Sequence, residues 1–456
     1  MGWNSYNYYK LNVTDAQVRA TADAFVSSGL RDAGFTYIVI DDMWASGRDG
    51  SGNLIPNKGK FPDMKALAEY VHGKGLKFGL YSNPTTRSCG GQPGSYQHEA
   101  QDAALFASWG VDYLKYDWCG QQSGENGKFT DAQIVARYVA MRDALKATRR
   151  PIIFAICDKG QGVKGLNIPV WSDTVGHMWR IGNDIAANWA RVWAQVDNNA
   201  TRGQYAGPGG WNDPDMMEAG NGSFTEAENR AHFSLWCIMA SPMMLGNNVA
   251  GMSASVKGIL TDKEATAINQ DSLGKQGVKV KANGETETWV KELKNGDKAV
   301  LFVNRGTGDG SASLQWSDAA LKWAAGDKVN VRDVWKKADS KNVAQGLTVT
   351  VPAHDAVLYR LTNTATLADR YRAPAPHGLA LTGPAAKLNL FLPAGEPFRN
   401  AELLDIRGRT LAAFPVRSGC NPFPFPLAGD RLYTLKLTGA SGTYARLLHP
   451  DLSPPR

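Results

Sequence analysis

The sequence predicts an α/β chain: a (β/α)8 TIM barrel followed by an antiparallel β-sandwich domain and a further small β-rich C-terminal segment. Three observations predict it. Short apolar, β-branched runs alternate with amphipathic helical segments through about residue 275, and each run ends beside polar or small residues. From about residue 279 the helical periodicity gives way to alternating, turn-rich sequence. The expected division is a catalytic barrel over residues 1–277, a sandwich over 278–363 and an accessory segment over 364–456.

The elements follow in order. A capping-rich start at Asn12-Val-Thr-Asp15 opens a helix over 15–28. Residues 35–40 are apolar throughout, as a strand covered on both faces should be, and run straight into Asp41-Asp42. Strands over 76–81, 111–116 and 152–156 repeat the pattern, with a helix over 131–148 between the last two. In a parallel barrel the catalytic side chains sit at the carboxyl ends of the strands, so those polar tips are the place to search. Alternation at 287–293, 298–304 and 346–351 marks the sandwich. A linker is expected near 363–377, with Pro374 and Pro376, and the tail carries strand-like runs at 388–392, 403–409 and 432–437.

Composition narrows the function. A hydrophobic fraction of 43% with 20% charged residues fits a packed globular chain rather than a disordered one. The net charge of +7 is spread along the chain without basic runs, which argues against a nucleic-acid partner. No apolar stretch of about 18 residues exists, so no membrane-spanning helix is expected. Met1-Gly-Trp-Asn-Ser-Tyr lacks the basic start and apolar centre of a leader. The fourteen tryptophans are read mostly as core, with sugar platforms as the functional alternative.

Five cysteines lack metal-like spacing and leave at least one thiol unpaired; Cys157 and Cys237 lie in apolar runs and read as buried small hydrophobes. His72, His98, His177 and His232 form no HExxH or facial-triad pattern, so neither a metal nor any other cofactor is expected. Gly207-Pro-Gly-Gly-Trp has neither the spacing nor the following helix of a phosphate loop.

The chemistry lies in acids at strand tips: Asp41-Asp42, Asp117, and Asp184 in Trp179-Arg-Ile-Gly-Asn-Asp. A carboxylate at the end of an apolar strand is costly to bury unless it is hydrogen bonded, and a sugar diol can donate two hydrogen bonds to one acid. Singly, each acid is more often a helix cap or a surface charge; their recurrence at the tips of one barrel carries the argument. Asp213-Pro-Asp215 reads either as pocket support or as a turn.

Several longer motifs occur together: Met1-Gly-Trp-Asn, Ile40-Asp-Asp-Met-Trp44, Pro93-Gly-Ser, Trp109-Gly-Val-Asp-Tyr-Leu-Lys-Tyr-Asp117, Ala206-Gly-Pro-Gly-Gly-Trp-Asn-Asp-Pro-Asp-Met216 and Ile268-Asn-Gln-Asp-Ser-Leu-Gly-Lys-Gln-Gly277. Over roughly residues 1–360 the chain resembles the α-galactosidases of glycoside hydrolase family 27. The resemblance implies retaining hydrolysis of terminal α-galactosides, with Asp117 as nucleophile and Asp184 as acid/base. It also implies that Trp3, Asp41, Asp42, Tyr81, Lys115 and Arg180 bind the sugar, and that Cys89 pairs with Cys119. The paired acids would hold the hydroxyls at C4 and C6.

Where the family commonly shows Cys-Glu-Trp, this chain has Cys157-Asp158-Lys159. Asp158 matches the acid that reads the C2 hydroxyl, but it is shorter and is followed by a lysine instead of an indole. The serine and alanine that admit an N-acetyl group are absent, and both acids of the Asp41-Asp42 pair are kept, which favours galactose over a pentose. β-L-arabinopyranosidase and α-N-acetylgalactosaminidase activities are the alternatives, with a noncatalytic sugar-binding barrel more remote. The implied disulfide and polymeric substrates suggest a secreted or periplasmic protein.

Overall fold

The computed structural model describes residues 1–165, 167–364, 380–382, 389–392, 398–405, 410–417, 419–422, 433–439 and 442–448. The expected linker near 363–377 lies largely outside these residues, as do Leu388, residues 406–409, Leu432 and the side chain of Cys420.

Eight parallel strands form one sheet: β1 (Gly2–Asn4), β2 (Tyr37–Val39), β3 (Lys77–Ser82), β4 (Tyr113–Asp117), β5 (Ile153–Cys157), β6 (Met178–Arg180), β7 (Trp211–Asp213) and β8 (Met244–Leu245). β1 to β7 pair in chain order and β8 pairs with β1, so the sheet curls round on itself. A parallel bridge from Met217 to Leu245 brings the segment after β7 beside β8. This is the expected (β/α)8 barrel, and β4 is buried at every position, as a strand covered on both faces must be.

Helices follow the strands: α1 (Asp15–Ser28), α2 (Met64–Gly73), α3 (Glu99–Trp109), α4 (Asp131–Ala147), α5 (Ile168–Ser172), α6 (Trp189–Ala200) and α7 (Glu226–Ile238), with α8 (Ala254–Leu260) and α9 (Lys263–Asn269) after β8. Their limits are set by local chemistry. Capping boxes Thr14/Gln17, Thr130/Gln133 and Thr225/Glu228 satisfy the first amides of α1, α4 and α7. α1 stops at Gly29, whose φ of 85° is the left-handed cap that glycine takes without steric cost.

Beyond the barrel, β9 (Val278–Asn283), β10 (Thr286–Glu292), β11 (Lys298–Asn304) and β12 (Ala356–Asn363) pair antiparallel in that order. This sheet fits the expected sandwich, and Trp289, Leu301 and Leu358 bury their side chains in it. In the tail, strands Ala380–Thr382, Asn389–Leu392 and Gly419–Pro422 form one antiparallel sheet, and Phe398–Asp405, Thr410–Pro415, Tyr433–Gly439 and Gly442–Leu448 form another.

Candidate active site

The carboxyl ends of β2, β3, β4 and β6 converge on a hollow of about 110 Å³ lined by Asp41, Asp42, Tyr81, Lys115, Asp117, Lys159, Arg180, Asp184 and Asp215, among others. A larger cavity of about 470 Å³ is lined by Tyr37, Tyr113, Met178, Trp211 and Met244, at the amino ends of the strands. That face of a barrel is structural and the residues lining this cavity include no pair of facing acids, so the smaller hollow is the candidate site.

Asp41 and Asp42 follow β2 and accept from different partners. Asp41 accepts from Asn4 Nδ2 at 2.8 Å and from Lys115 Nζ at 2.8 Å. Asp42 accepts from the Met43 amide at 2.7 Å and the Gly90 amide at 2.6 Å. Burial still pushes its carboxyl above the ordinary range. A Cβ at Gly90 would stand 3.1 Å from Asp42 Oδ2 and 2.6 Å from Met43 Sδ, so a side chain there would have to displace that of Met43. The Cys89–Cys119 disulfide ties the residue before Gly90 to the segment just after β4, and Tyr81 Oη lies 3.1 Å from Cys119 Sγ.

Lys115 and Asp117 are two residues apart on β4, so the strand period of two sends both to the inside of the barrel. Lys115 Nζ is 4.0 Å from Asp117 Oδ2. Asp117 Oδ1 is buried and takes no hydrogen bond among the described residues, while Lys159 Nζ stands 3.7 Å from it.

Asp184 follows β6 and is 62% exposed at the mouth of the hollow. Its Oδ1 accepts from Lys159 Nζ at 2.9 Å and from Arg180 Nη1 at 2.8 Å. Partial desolvation is the largest single influence and pushes its carboxyl up, but Arg180, Lys159 and Lys115 outweigh it and hold the group far below the usual range. Arg180 also reaches Asp215 Oδ1 at 2.6 Å and Asp213 Oδ2 at 3.9 Å. Burial, resisted by Arg180, leaves Asp213 pushed up to about 6.

Two residues that the resemblance placed on the sugar stand elsewhere. The Trp3 indole is fully buried and donates to the Asn247 carbonyl at 2.9 Å, so it packs behind β1 rather than lining the hollow. Asp158 is also fully buried; its carboxylate accepts from the amides of Gly160 at 3.1 Å and Val163 at 3.2 Å, tying down its own loop. Lys159 next to it adopts φ 62°, which turns its side chain, not that of Asp158, into the hollow.

Lys159 and Asp215 are lining residues that motif reading left without a role in the pocket or only half assigned. The only sequence signals for them were the break in the Cys-Glu-Trp pattern and the acid pair flanking Pro214. Among the described residues the aromatic side chains lining the hollow are Tyr6 and Tyr81 and none is a tryptophan.

The family described as alpha galactosidase A matches residues 8–271, and the alpha galactosidase C-terminal beta sandwich domain matches residues 283–361. An alpha-galactosidase of Oryza sativa subsp. japonica is 43% identical over 79% of this chain and 84% of its own length. The crystal structure of alpha-galactosidase I from Mortierella vinacea superposes with a TM-score of 0.74 at 33% identity, covering 80% of this chain and 97% of that one. The alpha-galactosidase of Saccharomyces cerevisiae solved with raffinose gives a TM-score of 0.73 at 29% identity, covering 80% and 97%.

Proposed function

Because the chain belongs to the alpha galactosidase A family and is a glycoside hydrolase that cleaves α-galactosyl groups, we propose that it does so with retention through Asp117 and Asp184. One observation carries this reading. Lys159 Nζ touches both acids, at 3.7 Å and 2.9 Å, so the two Oδ1 atoms are no farther apart than the sum of those distances. That bound lies at the lower edge of the spacing of about 6.5–9.5 Å that leaves room for a water between acid and sugar in inverting enzymes, and it admits the ~5–5.5 Å of retaining ones.

In the first step Asp117 Oδ1, which takes no hydrogen bond from the described residues, forms a bond to the anomeric carbon while the bond to the aglycone oxygen breaks and Asp184 delivers its proton to that oxygen. In the second, the Asp184 carboxylate takes a proton from water, the water oxygen bonds to the anomeric carbon, and the ester to Asp117 is released. Lys115 and Lys159 keep Asp117 beside positive charge throughout. Lys115, held on Asp41, would donate to ring hydroxyls, and the Asp41–Asp42 pair supplies acceptors for the C4 and C6 hydroxyls of a terminal galactose on an oligosaccharide or polysaccharide. The disulfide fits a secreted or periplasmic setting, and residues 364–456 are read as an accessory segment.

The test is the anomer first released, followed by NMR during hydrolysis of nitrophenyl α-galactoside. α-Galactose appearing first agrees with the reading, and β-galactose appearing first overturns it. Azide should rescue Asp117→Ala as glycosyl azide of inverted configuration, which separates the nucleophile from the acid.

A further inference from the structure

Lys159 stands where the two acids meet, and three features of its setting are specific. Its side chain is only 6% exposed although it carries a charge. Its backbone holds φ 62°, a left-handed conformation uncommon for a residue with a side chain. The loop that imposes this turn is anchored from beneath by the buried Asp158, through the amides of Gly160 and Val163. A strained backbone supported by a buried acid, delivering one ammonium between two carboxylates, calls for a role beyond filling space.

We propose that Lys159 is a positioning residue for the acid/base: its ammonium holds the Asp184 carboxylate beside Asp117 and sets the upper pH at which the first step can run. The proposal rests on the assignment of Asp184 as proton donor. That step requires Asp184 to be protonated, whereas Lys159 stabilises its ionised form, so the lysine moves the loss of activity on the basic side to lower pH. Once the glycosyl-enzyme has formed, the same contact favours the carboxylate that must activate water.

Other charges face Asp184 as well. Arg180 on β6 donates to the same oxygen, Lys115 on β4 adds positive charge, and Arg191 on α6 donates to the Asp184 carbonyl. Asp117 on β4 and Tyr6 after β1 face it from across the hollow. Asp215 and Asp213, behind Arg180, compete for that guanidinium. Of the two cations bonded to Asp184 Oδ1, Arg180 is shared with these acids, and Lys159 is the one that also reaches Asp117.

The experiment is the pH profile of kcat/KM for nitrophenyl α-galactoside in wild type, Lys159→Gln and Lys159→Arg. Removing the charge should raise the midpoint of the basic limb by about one pH unit. Lys159→Arg should restore the wild-type midpoint. With a dinitrophenyl leaving group, which needs no proton, Lys159→Gln should lose less activity than it does with nitrophenyl α-galactoside. A basic limb that stays in place in Lys159→Gln, or an equal loss on both substrates without a shift, overturns the proposal and leaves the lysine as packing. Asp184→Asn separates the two levels: a basic limb that persists in that variant removes Asp184 as the acid, whereas a limb lost there yet unmoved in Lys159→Gln removes only the inference drawn for the lysine.

Discussion

Arg180 donates to Asp215 Oδ1 at 2.6 Å, and both side chains are almost wholly buried. Asp215 in turn accepts from the amides of Ile185 at 2.7 Å and Met216 at 2.7 Å, while its own φ of 82° is left-handed. The acid thus ties the guanidinium that bonds Asp184 to the backbone residue next to Asp184. Removing one partner of a buried pair leaves the other charge uncompensated, a loss of about 3–5 kcal/mol. Asp215→Ala is therefore expected to lower stability by about that amount in urea unfolding. Asp215→Asn, which keeps the amide contacts, should fold but lose about 100-fold in kcat/KM as Asp184 drifts.

Asp117→Ala and Asp184→Ala should differ in substrate dependence. The first should lose at least about 1,000-fold on every substrate, because no covalent intermediate forms. The second should lose about 100- to 10,000-fold on substrates whose leaving group needs a proton, and far less on the first step with a dinitrophenyl galactoside. Circular dichroism of both variants should match wild type, and equal losses on all substrates in Asp184→Ala would count against its role as acid.

Burial pushes the Asp158 carboxyl up to about 7, against an ordinary 3.8. A folded value above the unfolded one means that the native state holds the proton more tightly. Its stabilising contribution is complete below about pH 4 and is lost as the pH rises through 7. Melting temperatures measured from pH 4 to 8 should fall more steeply for wild type than for Asp158→Asn, which cannot ionise. Parallel curves would mean that Asp158 does not control this dependence.

The Cys89–Cys119 bridge closes a sequence separation of 30 residues around Gly90, whose amide holds Asp42. Its loss should cost about 2–4 kcal/mol of stability. In the Cys89→Ser/Cys119→Ser double variant the urea midpoint should drop and, on the proposed role of Asp42 in holding the sugar, KM should rise more than kcat falls. An unchanged KM would argue that Gly90 stays in place without the bridge.

The sequence by itself determined the alternating order of the barrel and the places of four of its strands and two of its helices. The capping-rich start at Asn12 to Asp15 and the apolar strand runs are local signals, and the helices over Asp15–Ser28 and Asp131–Ala147 start where the sequence reading put them. It also brought Asp41, Asp42, Lys115 and Asp117 to strand tips, because the period of two along a strand and the position of its end are both written in residue order. Only the tertiary structure decided which side chains past those ends face the hollow. One left-handed residue exchanges the faces of two neighbours, so Lys159 enters while Asp158 turns down into its loop, and nothing in the residue types announces that φ. In the same way Trp3 sits on a barrel strand yet buries its ring against Asn247, since the space behind β1 is set by residues more than two hundred positions away. Contacts of that length follow from closure of the barrel, which places β8 beside β1 and cannot be read from either strand alone.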